Sequence, residues 1–582
     1  MIKMVNNISK EKHSKLRVLA VILVLAMTFS LAGCGDSGND TSSKKRRTDK
    51  SSSFGGKLDD ATEKSSEGDA DYPRDGGDET ALSTEEVTME DKGDSAENQM
   101  GDIPFIYSLE TSYYEKDDDG SLLYENTYDE LKLQAGTEDQ FPGIKKALAD
   151  YTSKASSLGE DMNESDLIAD AKEQKAASEY FTYYTDESKA YIQRVDGKVL
   201  SILDSFYNYY GGAHGYYGLN GFNYNPETGE EISIEDVVSS MDDLRNAAAE
   251  VFARDYADLI EAEPGCEDYL RDSFDDPKTL CWTLTPLQLE LYYNPYSLAS
   301  YAAGLQIIRI KFSDYPDLFN KGYGASGGDW AVLLPDGGIS EDITGDGVQE
   351  QINVEYVYNT EDEYSYIESV DVQVGEGVQN INYYGLEAGD VYFVKRGDKY
   401  LLYIEAVAEN DYRVIHMVDI TNGEITDLDY CTGSFTSKDF ESDYGEDYYI
   451  YTKGLFYNPN LFYLEIRQQY ISTFDGVIPA QVGENGEIKL LQDYYELPTD
   501  FNITSKMDLE FDEVDAEGNV IGKTTIPKGT IYYMYRSDGE TYVDCKTEDG
   551  TYVRIVVDHS DYPYLVNGMN LEDAFDGIMF AG

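Results

Sequence analysis

Three groups of residues could do chemistry, each of a different kind. Asp342-Ile343-Thr344-Gly345-Asp346-Gly347-Val348-Gln349-Glu350 sets oxygen-bearing residues at alternate positions, with a glycine for the sharp turn. That spacing suits a hard cation such as calcium. Asp342, Asp346 and Glu350 would supply carboxylates, Thr344 a hydroxyl and Val348 a backbone carbonyl. Asn353 stands where a full twelve-residue loop wants a bidentate Glu, and an Asp-Gly turn without metal is the alternative reading. Gly324-Ala325-Ser326-Gly327-Gly328 has the spacing of a nucleophilic serine. Such a serine sits on a turn from a buried strand into a helix. Neither flank supplies one, so the segment reads as a glycine-rich hinge. His214, His416 and His559 lie far apart with no His-x-x-x-His pair, which argues against metal-assisted hydrolysis. Paired carboxylates acting on a glycan are conceivable, but so many acids are present that no pair stands out.

Cys34 is set apart by its surroundings. Lys3, Lys10, Lys12, Lys15 and Arg17 precede an apolar run from Val18 to Leu31, a secretory signal too short to span a membrane. Leu31-Ala32-Gly33-Cys34 resembles the lipobox of bacterial lipoproteins, which implies a lipidated cysteine and a chain held at the outer face of the cell membrane. Four further cysteines then stand in an oxidising compartment. A bridge between Cys266 and Cys281 would close a short loop and contribute about 3 kcal/mol. Buried free thiols, including Cys431 and Cys545, are the alternative.

The residues around these groups set the domain plan. Residues 1–33 are the signal, and 34–101 are a Ser/Gly-rich acidic stretch with hardly any large apolar residue, expected to be a disordered tether. As a flexible coil it spans ~45 Å. Asp and Glu outnumber Lys and Arg by 113 to 45, for a formal net charge of -68, which repels phosphate backbones and sets nucleic acid aside. Residues 102–322 read as α+β. Strands open at Pro104, a helix spans Pro142 to Ala155, and Ser240 with Asp243 caps a second helix carrying Leu244, Ala248, Val251, Phe252, Tyr256 and Leu259. Residues 329–500 are nearly all β at meander spacing, and the calcium-type loop resembles those that open blades in β-propeller and related surface proteins. Residues 501–582 carry short strands and Asp-Gly turns, and resemble a small SH3-like barrel.

One stretch resembles a known family. Tyr210-Gly211-Gly212-Ala213-His214-Gly215, Phe222-Asn223-Tyr224 with Thr228-Gly229, and Ile232 to Val237 are followed by Tyr292-Tyr293-Asn294-Pro295-Tyr296 and Tyr301-Ala302-Ala303-Gly304. In that order they resemble the extracellular domain of the sigma-V anti-sigma factor, a bacterial lysozyme sensor. The same domain precedes the catalytic part of a peptidoglycan deacetylase. The resemblance implies a recognition role, with lysozyme or another basic protein as ligand and Tyr210, His214, Tyr216, Tyr293 and Tyr301 as contact residues. The sensor's cytoplasmic segment has no counterpart here, nor has the deacetylase's metal site. The expectation is therefore a lipid-anchored, non-enzymatic recognition protein at the cell wall. The alternatives are a protein that binds or acts on peptidoglycan, and an adhesin stabilised by calcium.

Overall fold

A computed structural model of the chain describes residues 103–155, 164–178, 180–359, 365–408, 412–438, 442–445, 448–497, 501–560 and 562–580. The chain divides after Glu79 into two units, and every described residue belongs to the second. The signal, Cys34 and the tether lie outside the described residues.

The first sheet is built from β1 (Ile106–Lys116), β2 (Leu122–Leu133), β3 (Tyr184–Val195), β4 (Leu200–Tyr209) and β5 (Tyr216–Tyr224). β1 and β2 are joined by the expected hairpin, in which Gly120 takes φ +81. β2 and β3 run parallel, so the chain must cross over between them. It does so through α1 (Pro142–Ala155) and α2 (Glu164–Ala177). α1 buries Ile144, Ala147, Leu148 and Tyr151, one stripe at helical spacing, against Leu131, Ile192 and Ile202 of the sheet. No apolar periodicity marks α2 in the sequence. Only Leu167 and Ala171 are buried along it, too few to make a stripe.

Next, α3 (Met241–Asp255), α4 (Ala257–Ala262) and α5 (Cys266–Ser273) adjoin a three-stranded sheet of β6 (Cys281–Leu284), β7 (Gln288–Tyr293) and β8 (Gln306–Lys311). Ser240 caps α3 by accepting from the Asp243 amide at 3.2 Å. The periodic pattern predicts one helix through Leu259, but the helix breaks at Tyr256. That side chain leaves the stripe to bond β8, donating to the Ile307 carbonyl at 3.1 Å and accepting from its amide at 2.8 Å.

Strands make up 48 % of the described residues, and past residue 329 they form stacked meanders. One sheet holds β10 (Ile339–Glu341), β11 (Glu350–Asn359), β12 (Tyr366–Val374) and β13 (Gly377–Gly385). The next holds β9 (Trp330–Leu333), β14 (Glu387–Arg396), β15 (Lys399–Val407), β16 (Arg413–Asp419) and β17 (Thr426–Thr432). The pleat sends alternate residues to opposite faces. Leu402 and Ile404 therefore pack on the β10–β13 sheet, while Leu401 and Tyr403 pack on Phe456 and Phe462 beyond.

The third β layer begins with β18 (Ser434–Thr436). After β19 (Ser442–Tyr444) and β20 (Tyr448–Lys453) it continues through β21 (Phe462–Gln469) and β22 (Thr473–Val482). Most strands from Tyr495–Glu496 to Phe575–Asp576 extend this same twelve-stranded sheet, while Val557–Asp558, Leu565–Val566 and Met569–Asn570 form a small sheet of their own. The described residues form no closed barrel, so the terminal strands do not make the separate SH3-like module expected. β19 and β20 go elsewhere. β20 pairs antiparallel with β1, Ser108 opposite Lys453, and completes a seven-stranded sheet across the expected domain boundary. Tyr457 clamps the join: its hydroxyl accepts from the Ile106 amide at 2.6 Å and donates to the Pro104 carbonyl at 2.7 Å.

Candidate functional site

The turn between β4 and β5 brings together more exposed aromatic surface than any single motif implies. Gly211 and Gly212 take φ +86 and +95, values that only glycine adopts without strain. Gly215 is required for a different reason. A Cβ there would stand 2.5 Å from the Tyr207 ring. Behind the turn, β5 lies against the second sheet so closely that a Cβ on Gly221 would stand 2.0 Å from the Trp282 carbonyl oxygen. Asn294 holds the same strand from the side, accepting from the Leu219 amide at 2.8 Å and donating to its carbonyl at 3.2 Å.

On one side of the turn, His214 stacks on Tyr301 with ring centroids 3.9 Å apart. Tyr301 donates to the Gly215 carbonyl at 2.8 Å and also meets the edge of Tyr217. Tyr296 packs at 5.5 Å from Tyr301 and stays 62 % exposed. Its φ of +74 is uncommon for a large side chain, and such strain gathers at functional positions. Tyr216, 38 % exposed, leans on Phe206. His214 and Tyr301 thus share one aromatic face with Tyr217 and Tyr296, whereas Tyr216, next to Tyr217 along the strand, points to the opposite face with Phe206.

Two more of the expected contact residues stand elsewhere. Tyr293 is buried in the core with its hydroxyl 2.9 Å from Ser273, because β7 is the middle strand of its sheet and is covered on both faces. Tyr210 turns to the other side of the turn, where its hydroxyl bonds Asp186. Burial and that carboxylate push the Tyr210 hydroxyl far above its ordinary value, while burial pushes Asp186 itself up. Tyr210 there lines an open cleft of 350 Å³ with Asp170, Gln174, Tyr180, Phe181 and Tyr184. Only the order of α2 could have pointed to this cleft: Asp170, Gln174 and Ser178 are four residues apart and share one side of the chain.

The other candidate groups separate. In the calcium-type loop Asp342 accepts from the amides of Gly345 and Gly347 at 2.7 and 2.9 Å, and Glu350 from that of Ile343 at 3.0 Å. Thr344 bridges Asp342 and Glu350 at 3.4 and 3.5 Å. Asp346 instead caps the Val348 amide, and Val348 is 62 % exposed. Among the described residues no group of three or more His, Cys, Asp or Glu is placed to hold a metal ion. Cys266 and Cys281 are both free thiols, which overturns the expected bridge. Cys266 is buried at the start of α5 among core side chains, whereas the Cys281 sulfur accepts from the Gly221 amide at 3.2 Å and faces β5. Burial pushes the Cys281 thiol up to about 12. Ser326 lies in turns and bends with no helix after it, and Arg194 pins the hinge through the carbonyls of Tyr323 and Gly324 at 3.0 and 2.9 Å. His416 is spent on Asp427 at 2.6 Å. No helix among the described residues is long and apolar enough to cross a membrane.

No family model and no curated protein matches the chain. Solved structures of two DUF3298 family proteins are similar to it. One, from Bacteroides fragilis, is 15 % identical over 37 % of this chain and 93 % of that one, with a TM-score of 0.29. The other, from Pseudomonas aeruginosa, is 17 % identical over 39 % of this chain and 98 % of that one, with a TM-score of 0.28.

Proposed function

We propose that this chain is an exported recognition protein, held at the outer face of the cell membrane by a lipid on Cys34. Its aromatic face at the β4–β5 turn binds a basic protein of the lysozyme type. The observation that carries the reading is the His214–Tyr301 stack with Tyr217 at its edge and Tyr296 exposed beside it. Tyrosine supplies anchoring area at small entropic cost, and a face backed by Gly221, Trp282 and Asn294 arrives already ordered. The net charge of -68 would steer a cationic partner and raise its association rate.

The test is titration of the whole exported chain with a basic lysozyme. A fragment ending near residue 322 is unsuitable, because it would lose β20 from the first sheet. Saturable binding at physiological salt is expected, weakened about 30-fold by Tyr296→Ala or Tyr301→Ala, a loss on the scale of an interface anchor. Absence of binding, equal binding by any polycation of similar charge, or preferential retention on peptidoglycan would overturn it. For the anchor, Cys34→Ala is expected to release the protein from membranes at high salt without lowering its melting temperature.

A further inference from the structure

The cleft on the Tyr210 side of the turn takes no part in the aromatic face, yet its lining is chemically one-sided. Most of the hydroxyl donors around it are already used. Tyr184 gives its hydroxyl hydrogen to Asp170 and Tyr210 gives its own to Asp186. Tyr209 donates to the Gly212 carbonyl at 3.3 Å, and Ser178 to the Tyr180 carbonyl at 3.0 Å. What remains open is the second Asp170 oxygen, the lone pairs of the tyrosine hydroxyls, and ring faces. Phe181 and Tyr184 stand 6.2 Å apart and Tyr184 and Tyr210 6.0 Å apart, tilted rather than stacked. Tyr180, 88 % exposed, stands at the rim. Among the described residues no Lys, Arg or His lines the cleft.

A ligand for such a cavity must bring hydrogens and positive charge. Carboxylates and phosphates would meet Asp170 with nothing to bind them. A neutral sugar presents about as many acceptors as donors, and among the lining side chains only Gln174, Thr182 and the rim hydroxyl of Tyr180 have donors left for it. An organic cation satisfies every open group at once, its N–H groups donating to oxygen and its charge lying against ring faces. The volume, 350 Å³, is at the lower end of the range for small-ligand sites, about 300–1,000 Å³.

We propose that this cleft is a receptor for a guanidinium or alkylammonium group, carried by an Arg or Lys side chain of a protein partner. Asp170 takes the charge, and Tyr180, Phe181 and Tyr184 enclose the stem. The source of the cation rests on the recognition reading above, since the cleft and the aromatic face are the two sides of one turn.

The experiment has a small-molecule arm and a protein arm, both on the whole exported chain. In the first, arginine ethyl ester, choline and N-acetylglucosamine are titrated by calorimetry. The ester is expected to bind saturably and better than choline, which lacks N–H donors, and N-acetylglucosamine is expected not to bind. Asp170→Asn keeps an acceptor for Tyr184 and should weaken the ester about tenfold. Tyr180→Ala, at an exposed rim position that cannot unfold the chain, should weaken it as well. Binding of N-acetylglucosamine instead of the ester, or an ester affinity that neither variant changes, would overturn the proposal. In the protein arm, lysozyme binding that both variants weaken supports the proposal. Lysozyme binding that neither variant changes overturns the cleft's role while leaving the aromatic face in place. Ester binding that depends on Asp170, with no lysozyme binding, upholds the cation site and overturns the lysozyme reading alone.

Discussion

Gly221 shows how much of the candidate site depends on an atom that is absent. The strand carrying the aromatic face lies directly on the backbone of β6, and the distance leaves no room for a methyl group. Backbone cannot rotate aside as a side chain can, so Gly221→Ala must push β5 off the second sheet. The expected cost is about 3 kcal/mol, the upper end for overpacking a filled interior, read as a lower urea midpoint with an unchanged slope. The Asn223 bond to the Trp282 carbonyl, 2.7 Å, should be lost with it. A variant as stable as the parent would mean that β5 is less tightly seated than the structure shows. The calcium-type loop carries its own residue-scale test. If a cation binds there, melting curves in calcium and in chelator should differ by about 2.7 kcal/mol at one hundred times the dissociation constant. Asp342→Ala should abolish the difference. Identical curves would leave the Asp342 bonds to Gly345 and Gly347 as the loop's whole content.

At the scale of elements, the join between β1 and β20 is the contact that the chain's order conceals most completely. Tyr457 is buried and serves two backbone groups of the strand that opens the fold. Tyr457→Phe keeps the ring and removes the hydroxyl, leaving the Ile106 amide and the Pro104 carbonyl without that partner in a dry setting. Orphaned buried polar groups cost about 1–3 kcal/mol each. A loss of about 2 kcal/mol is therefore expected, with faster hydrogen exchange at the β1 amides as its signature. Loss of stability without that faster exchange would place the effect elsewhere. Sequence patterns also explain which helices were legible. α1 and α3 have a buried stripe at helical spacing, whereas α2 has two buried residues and is held by side-chain bonds such as Lys175 to Asp117.

For the whole molecule, the acidic excess and a few buried carboxyls act together on stability. Burial pushes Glu405 up to about 7, with Asp390 adding to the rise and Arg413, Lys189 and Lys453 opposing it. Burial does the same to Glu465, again to about 7, helped by Asp475 against Arg413 and Arg467. Both groups hold a proton more tightly folded than unfolded. Between the ordinary glutamate value, about 4.3, and pH 7 the folded chain therefore binds more protons, so stability rises as pH falls through that window. Relief of self-repulsion from the net negative charge acts in the same direction. At lower pH the sign reverses. Asp419 and Asp538 are pushed up by burial but held lower by their hydrogen bonds, and protonating them removes stability. The melting temperature is thus expected to be higher near pH 5.5 than near pH 8, and to fall below about pH 4. Glu405→Gln with Glu465→Gln should flatten the rise between these limits. An unchanged rise would assign it to surface charge alone.

Local chemistry determined what the sequence could determine by itself. A stripe of apolar residues is enough to specify α1, a Ser three residues before an Asp is enough to start α3, and Asp-Gly turns mark hairpins, because each depends on neighbours within a few residues. Alternation marked the β-rich half for the same reason. What only the tertiary structure decided depends on contacts between distant segments. β20 joins β1 across more than three hundred residues, and most of the terminal strands extend an existing sheet instead of closing into a barrel. Cys266 and Cys281 are near in sequence, but Cys266 packs in the helix–sheet core while Cys281 faces β5. The aromatic residues were named from one stretch, yet Tyr293 fell inside and Tyr210 turned away from His214, because a strand's neighbours, and not its own residues, decide which of its faces meets water. The cleft with Asp170 required a polar helix and a glycine turn, separated in the chain by a whole strand pair, to meet at one edge of the first sheet.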